Sequence, residues 1–360
     1  MKKPHFVVCI TCVGGRLIYD IISAVRDAED YSVTVVGVDA DPSAAGRLLC
    51  DHFAVLPMAE KDPEGWVKGI VDLKARLGVQ GLICLSDQEA RLAAQTRGYF
   101  AENGIHTSVS QWETVEVMTD KLSLLQTLNQ GGVDAGPFVR INSIEDAAQA
   151  LKELGYPDKR IVLKPRRGSG SRGVLVCDSA KAGFELMIPD RLCGVGTFEQ
   201  IQDELAQREL GVSDWLAVPY WEGPVFDVEC LVSNRQVVLS AARRRQLRNP
   251  FWPTSTGHLV DMHPAVLSYA SQMCRALNVE GAGDFDIVLR QDGSCVVMDA
   301  SARFSGSVGG SYTAGANFLA QLVRVMFGLP LVQYQIRDQT PLRPYITMAE
   351  IPKVNVMELL

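Results

Sequence analysis

Apolar and polar positions change rhythm along the chain, and those changes lay out its elements. Residues 5–11 (HFVVCIT) form an unbroken apolar run, residues 17–28 repeat apolar positions at helical spacing, and residues 32–41 (SVTVVGVDAD) return to an apolar run closing on acidic residues. That order predicts a buried strand, a turn at Val13-Gly14-Gly15, an amphipathic helix and a second, parallel strand. A helix over 63–77 follows, then a strand in QGLICLSD that ends in Asp87 and Glu89, a helix over 89–103 and a short strand in IHTSVS. The β-α-β opening predicts a doubly wound α/β unit that closes near residue 110.

Beyond it, strands are broken by short helices. Thr119 or Asp120 can cap a helix that carries Lys121 and ends at Gly131-Gly132. A helix over 143–154 precedes RIVLKPRRGSGSRGVLVCD, in which an apolar strand ends in Lys164, Pro165 stops the ladder, and a glycine-serine loop bears Arg166, Arg167 and Arg172. WLAVPYWEGPVFDVECLV reads as two strands joined by a rigid connection at Pro219, Gly223 and Pro224, with Asp227 and Glu229 on one face of the second. VVLSAARRRQLR ends a further strand with Arg243 and Arg245 on one side and Arg244 on the other. After a helix over 264–277, GAGDFDIVLRQDGSCVVMDASARFSGSVGG alternates as a hairpin turning at Gln291-Asp292-Gly293.

A chain of 360 residues exceeds what one hydrophobic core usually serves, so two or three domains are expected. A net charge of −7 argues against non-specific nucleic-acid binding. No apolar run approaches the roughly 18–20 residues that span a bilayer, and the start of the chain reads as a first strand rather than a signal peptide. Nine cysteines are scattered, and the C-x-x-C of Cys9 and Cys12 has no second pair or histidine cluster to complete a zinc site. Reduced, mostly buried thiols in a cytoplasmic protein are expected.

The hairpin sets Asp286 and Asp299 side by side, and carboxylates that close repel unless a cation lies between them, which suits Mg²⁺. The alternative is a pair of solvated strand ends. Gly168, Gly170 and Gly173 let backbone N–H groups converge on an anion, with the arginines adding charge; the alternative is a hairpin turn with a solvated basic tip. Neither a P-loop nor a complete dinucleotide fingerprint is present, so Gly14-Gly15 reads as a turn packing a helix on its strand. Arg243 and Arg245 suit an anionic acceptor group, or cross-strand pairing with Asp227 and Glu229. Phe251, Trp252 and residues 305–312 are candidate acceptor-pocket walls, and His258 and His263 read as solvated.

Together, Lys121, Lys164 with its GSGSRG loop, the PYWEG connector, the RRR strand and the Asp286/Asp299/Arg303 hairpin resemble the ATP-grasp superfamily, in its carbamoyl-phosphate-synthase-like branch of carboxylate–amine ligases. The resemblance implies a mixed α/β and α+β chain: a Rossmann-like pre-ATP-grasp domain over residues 1–115, then a two-lobed ATP-grasp fold over 116–360 with its lid lobe roughly at 155–220. It implies ATP and Mg²⁺ as cofactors, Mn²⁺ being able to substitute. Lys121 and Lys164 would contact phosphates, Gly168, Ser169, Gly170, Ser171 and Gly173 would form the mobile lid loop, Val218, Tyr220 and Trp221 would contact adenine, and Glu222 the ribose. Asp286, Asp299 and Ser301 would hold the metal, Arg303 would lie by the transferred phosphoryl group, and Arg245 by the acceptor.

Where the family reads E-I-N-P-R, this chain reads Asp299-Ala300-Ser301-Ala302-Arg303, and Pro219 stands where a glutamate often precedes the hinge aromatic. The implied activity is ATP-dependent activation of a carboxylate as an acyl phosphate and its joining to an amine, with release of ADP and phosphate. The competing readings are a kinase of a carboxylate or amide, and a nucleotide-binding regulatory protein that has lost turnover. The expected partners are small-molecule carboxylate and amine substrates and a second copy of the chain, since family members are often dimers; no nucleic-acid or membrane partner is expected.

Overall fold

The computed structural model describes residues 3–168, 170–188, 191–246, 257–344 and the strand Met357–Glu358. Ser169, Phe251 and Trp252 lie outside the described residues.

Strands β1 (His5–Thr11), β2 (Ser32–Asp39), β3 (His52–Val55), β4 (Gly81–Ile83) and β5 (His106–Thr107) form one parallel sheet, extended beyond β3 by Met357–Glu358. Successive residues of β1 enter different cores. Val8 and Ile10 pack with Ile18, Ile21 and Ile22 of helix α1 (Ile18–Arg26), whereas Cys9 packs with Trp66 and Ile70 of helix α2 (Pro63–Leu77). Both faces are covered, which is why these strands read as apolar runs without alternation. Helix α2 has the predicted bounds, with Asp62 accepting from the Gly65 amide at 2.9 Å at its start and left-handed Gly78 (φ 76°) at its end.

One element departs from expectation. Strand β4 stops at Ile83, and Ser86 caps helix α3 (Asp87–Gln95), so Asp87 and Glu89 occupy the first turn of a helix rather than a strand end. Acidic groups are favoured there by the unsatisfied amides of the first turn. The single helix expected over 89–103 is broken at Thr96, whose hydroxyl donates to Leu92 O at 2.7 Å, and resumes as α4 (Arg97–Glu102).

Helices α5 (Trp112–Met118) and α6 (Lys121–Gln130) lead into a second sheet. Its strands are β6 (Val139–Ile141), β7 (Ile161–Pro165), β8 (Val174–Cys177), β9 (Glu185–Leu186), β10 (Cys193–Gly196) and β11 (Trp215–Pro219), in the order β6-β11-β7-β8-β10-β9. Helices α7 (Ile144–Glu153) and α8 (Phe198–Gln207) close its core.

The third sheet holds β12 (Val225–Ser233), β13 (Gln236–Arg245), β14 (His258–Val260), β15 (Gly281–Leu289), β16 (Cys295–Ser301) and β17 (Pro341–Leu342), ordered β16-β15-β12-β13-β14-β17. Helix α9 (Pro264–Ala276) packs on it. Strands β11 and β12 belong to different sheets, so the proline-bounded connector at 219–224 crosses between them. The helix Phe318–Phe327 returns to pack on α1, where Arg324 meets Asp30 at 2.7 Å. Among the described residues no helix is long and apolar enough to cross a membrane.

Candidate functional site

The third sheet presents one charged face. Its register sets Asp286 opposite Asp299 and Asp284 opposite Ser301, and on the other side Asp286 opposite Asp227 and Asp284 opposite Glu229. Residues two apart on a strand share a face, so these six side chains project together. The Arg290–Ser294 turn, with Gly293 at φ 83°, closes the hairpin where expected.

Arg245, at the end of β13, reaches between two of these carboxylates: Nη2 lies 2.6 Å from Asp286 Oδ1, and Nε donates to Asp227 Oδ1 at 2.8 Å. Burial pushes the Asp286 carboxyl up to about 7, with Asp227 and Asp299 adding to the rise and Arg245 opposing it. Among the described residues no three His, Cys, Asp or Glu side chains converge as a ready metal cage. The Asp286/Asp299 pair nevertheless suits a hard divalent cation that takes its other oxygens from phosphate and water.

Two lysines face this pair. Lys121, the first residue of α6, donates Nζ to Gly168 O at 2.6 Å and lies 3.5 Å from Asp299 Oδ1. Lys164 donates to Met298 O at 2.9 Å; burial and the charge of Lys121 push it down to about 8 against the pull of Asp299 and Asp286. The loop at 166–173 joins β7 to β8 and takes left-handed backbone at Gly168 (φ 126°), Gly170 (φ 68°) and Ser171 (φ 60°). At Gly173 (φ 77°) a Cβ would meet Pro165 Cγ at 2.6 Å, so no side chain fits.

Expectation and structure differ at the loop's first arginines. Arg166 Nε donates to Asp120 Oδ1 at 2.7 Å, and Arg167 Nη2 donates to Asp120 Oδ2 at 2.9 Å and also pairs with Glu116. They anchor the loop to α5 and α6 instead of offering free charge to an anion. Asp120 also caps α6, accepting from the amides of Leu122 and Ser123 at 3.1 Å.

Two cavities border this machinery. One lies between the second and third sheets, walled by apolar residues such as Val162, Val174, Val225 and Met298 and by Val218, Tyr220, Trp221 and Glu222 at the connector. The Tyr220 amide is already donated to Arg160 O at 2.9 Å, and the Glu222 carboxylate is paired with Arg160. The other cavity, of about 500 Å³, lies between α3 and the third sheet and is walled by Asp87, Asp284, Ser301, Arg303 and Ser307 among others. Both cavities include Lys121, Gly168, Arg245, Asp286 and Asp299 in their walls.

A family model described as "ATP-grasp in the biosynthetic pathway with Ter operon" matches residues 211–353, which include the whole charged face. The structure superposes on N5-carboxyaminoimidazole synthetase from Staphylococcus aureus complexed with ADP with a TM-score of 0.69 at 15% identity, covering 93% of this chain and 81% of that one. For L-amino acid ligase from Bacillus licheniformis the TM-score is 0.65 at 15% identity, covering 95% and 76%. This is the ATP-grasp fold.

A short stretch of 81 residues is 26% identical to the carbamoyl phosphate synthase large chain of Thermotoga maritima, spanning 22% of this chain and only 7% of that one. On this ATP-grasp frame, three expectations change. Ser301 does not turn its hydroxyl to the Asp286/Asp299 pair; it donates to Asp87 on α3. Arg243 is wholly buried against Glu229 and is closed off from any acceptor. His258 is buried and bonded to Asp227 rather than solvated, because β14 pairs with β13; burial lowers its pKa against the pull of Asp227.

Arg303, expected by the transferred phosphoryl group, lines the 500 Å³ cavity, its Nε 3.1 Å from Asp87 Oδ1. Asp87 and Asp284 were not singled out by sequence. The signals were there: Ser86 three residues before Glu89 marks a helix start, and Asp284 shares the alternation that selects Asp286.

Proposed function

We propose that this chain is an ATP-dependent ligase that activates a carboxylate as an acyl phosphate and passes the acyl group to an amine. One observation carries the reading: a mostly apolar cleft and a charged cavity share Lys121, Gly168, Arg245, Asp286 and Asp299 as common wall. A nucleotide in the first and an acceptor in the second would meet at those residues. Residues 1–115 would then be the pre-ATP-grasp domain and 116–360 the catalytic part, its lid roughly over 155–220.

In this reading adenine lies by Val218, Tyr220 and Trp221, ribose by Glu222, and the phosphates by Lys121 and Lys164 beneath the loop at 166–173. A divalent cation at Asp286 and Asp299, Mg²⁺ by chemistry, would spread the charge of the phosphate oxygens. Lys121 and Lys164 add positive charge from the protein, and Arg303 orients the acceptor carboxylate. A carboxylate oxygen bonds to the γ-phosphorus as the bond to ADP breaks. The amine nitrogen then bonds to the acyl carbon, phosphate departs, and the nitrogen loses a proton. The loop keeps water from the acyl phosphate between these steps.

The test is a screen of carboxylates with and without amines, read as ADP release and by mass spectrometry of products. Amide formation matched by ADP is the expected result, and absence of Mg-dependent ATP binding would overturn it. A phosphorylated product that persists without amine would select the kinase reading. The tie between Ser301 and Asp87 favours a second reading, a nucleotide-binding protein without turnover. Mg-ATP binding without ADP release across the whole panel would select that one.

A further inference from the structure

A third cavity, of about 680 Å³, lies at the end of the first sheet, and the proposed chemistry leaves it unused. The strand order β3-β2-β1-β4-β5 reverses beside β1. Ligands of doubly wound sheets bind at such a reversal, beyond the carboxyl ends of the strands. Cys12 after β1, Asp39 at the end of β2, Pro57 after β3 and Leu85 after β4 border the cavity there.

Two buried polar groups on its wall are unmatched. Glu89 is 8% exposed, and Thr11 Oγ1 at 2.5 Å, Ser86 Oγ at 2.8 Å and Cys12 Sγ at 3.1 Å all donate to its Oε2. Those three bonds fix the side chain, while Oε1 accepts from no donor among the described residues. Trp66 is 1% exposed, and its indole N–H has no acceptor among the described residues. Burying an unpaired donor or acceptor is costly, and a ligand that supplies the partner removes that cost. Val38, Leu56 and Met58 are apolar parts of the same wall. An apolar wall with a few fixed polar groups is the make-up of a small-molecule site, and the volume falls within the usual range of roughly 300–1,000 Å³.

This cavity adjoins the charged one. Ala59, Glu60, Asp87, Gln88, Gly168 and Arg303 border both, whereas Glu89 and Trp66 border only the third. A molecule with its nitrogen in the charged cavity can therefore lay its body in the third, where Glu89 and Trp66 meet the part away from the reacting nitrogen.

We propose that the third cavity holds the body of the amine substrate, and that Glu89 and Trp66 select a body that both donates and accepts a hydrogen bond. Such a substrate is an organic amine that also carries a carboxamide, hydroxyl or similar group, rather than ammonia or a plain alkylamine. The inference rests on the ligase reading and names the substrate class for its nitrogen side.

The test measures binding to the full chain with Mg-ATP by calorimetry. Matched amines are compared: leucinamide with 3-methylbutylamine, phenylalaninamide with phenethylamine, and each with ammonium chloride. At least one amide should bind tenfold or more tightly than its stripped partner and than ammonium. Glu89→Gln keeps an oxygen for Thr11, Cys12 and Ser86 but replaces Oε1 with an amide NH₂ that cannot accept. The preference should then fall below threefold while Mg-ATP affinity stays within threefold of wild type. Ala40→Trp, at an exposed position on the cavity wall, fills the space and should weaken the amide at least tenfold. Equal binding of amide and stripped amine, or binding of no amide, overturns the inference. So does a preference that survives in E89Q, or an amide affinity that A40W leaves unchanged. If E89Q folds poorly by circular dichroism, A40W decides. Mg-ATP binding is measured in parallel: its presence without amide preference sinks the third-cavity role only, and its absence sinks the ligase reading itself.

Discussion

Arg243→Met isolates the interaction that holds the wall of the charged cavity in shape. Neither Arg243 nor Glu229 exposes any side-chain surface. Arg243 Nη1 donates to Ser307 O at 2.8 Å and to Ser307 Oγ at 3.1 Å, and Nη2 donates to Ser305 Oγ at 3.2 Å. Glu229 also accepts from Ser305 Oγ at 2.9 Å and from Ser311 Oγ at 3.0 Å. Removing the guanidinium leaves the Glu229 carboxylate buried without a cation, which costs about 3–5 kcal/mol. The stranded Ser307 carbonyl adds on the order of 1 kcal/mol. Methionine keeps most of the volume, so a cavity contributes little.

A loss of about 4–6 kcal/mol is therefore expected, a large part of the roughly 5–15 kcal/mol that ordinary domains possess. Urea unfolding followed by tryptophan fluorescence and by circular dichroism measures it, coincidence of the two curves showing whether one transition suffices. The companion Glu229→Met/Arg243→Met variant removes both charges and should recover all but about 1–2 kcal/mol. A single-variant loss below about 1 kcal/mol, or a double variant no better than the single, would refute the reasoning. Because Ser305 and Ser307 line the charged cavity, the single variant should also raise KM for the acceptor more than for ATP.

Three further outcomes follow from the same geometry. Asp299→Ala removes half of the cation pair and should lower Mg-dependent ADP release by at least about 100-fold; wild-type ADP production by that variant would sink the metal assignment. Lys164 is pushed down to about 8 from 10.5, chiefly by burial, so the folded chain binds fewer protons than the unfolded one between those values and this group makes stability rise with pH across that window. Lys164→Met should flatten that part of the stability profile, and Mg-ATP binding near pH 8.5 should take up a proton, seen as a binding heat that varies with buffer; a heat independent of buffer would count against it. Asp120→Ala strips the α6 cap and leaves Arg166 and Arg167 without their shared carboxylate. It should cost about 2–4 kcal/mol and raise KM for ATP, and an unchanged KM would remove the loop-anchoring role.

The elements were legible where one physical cause dominates. The strands of the parallel sheet read as apolar runs because helices cover both faces, and α2 has its predicted ends because Asp62, Pro63 and Gly78 each impose local backbone chemistry. The hairpin itself was legible, but its register only in part: counted from the turn Ile287 pairs with Val297, and a bulge at Met298, which alternation does not announce, shifts the pairing so that Asp299 stands opposite Asp286. Helix α3 was misread because the apolar run of β4 continues visually to Leu85, while the Ser86 cap outweighs it.

What alternation does not contain is compensation. It shows that Arg243, Arg245, Asp227, Glu229, Asp284 and Asp286 share a face, but not which charges cancel. That depends on chains brought from elsewhere: Asp87 from α3 takes Arg303 and Ser301, and Asp120 takes the two loop arginines. Arg166, Arg167 and Arg243 thus looked available in the sequence and are spent in the fold.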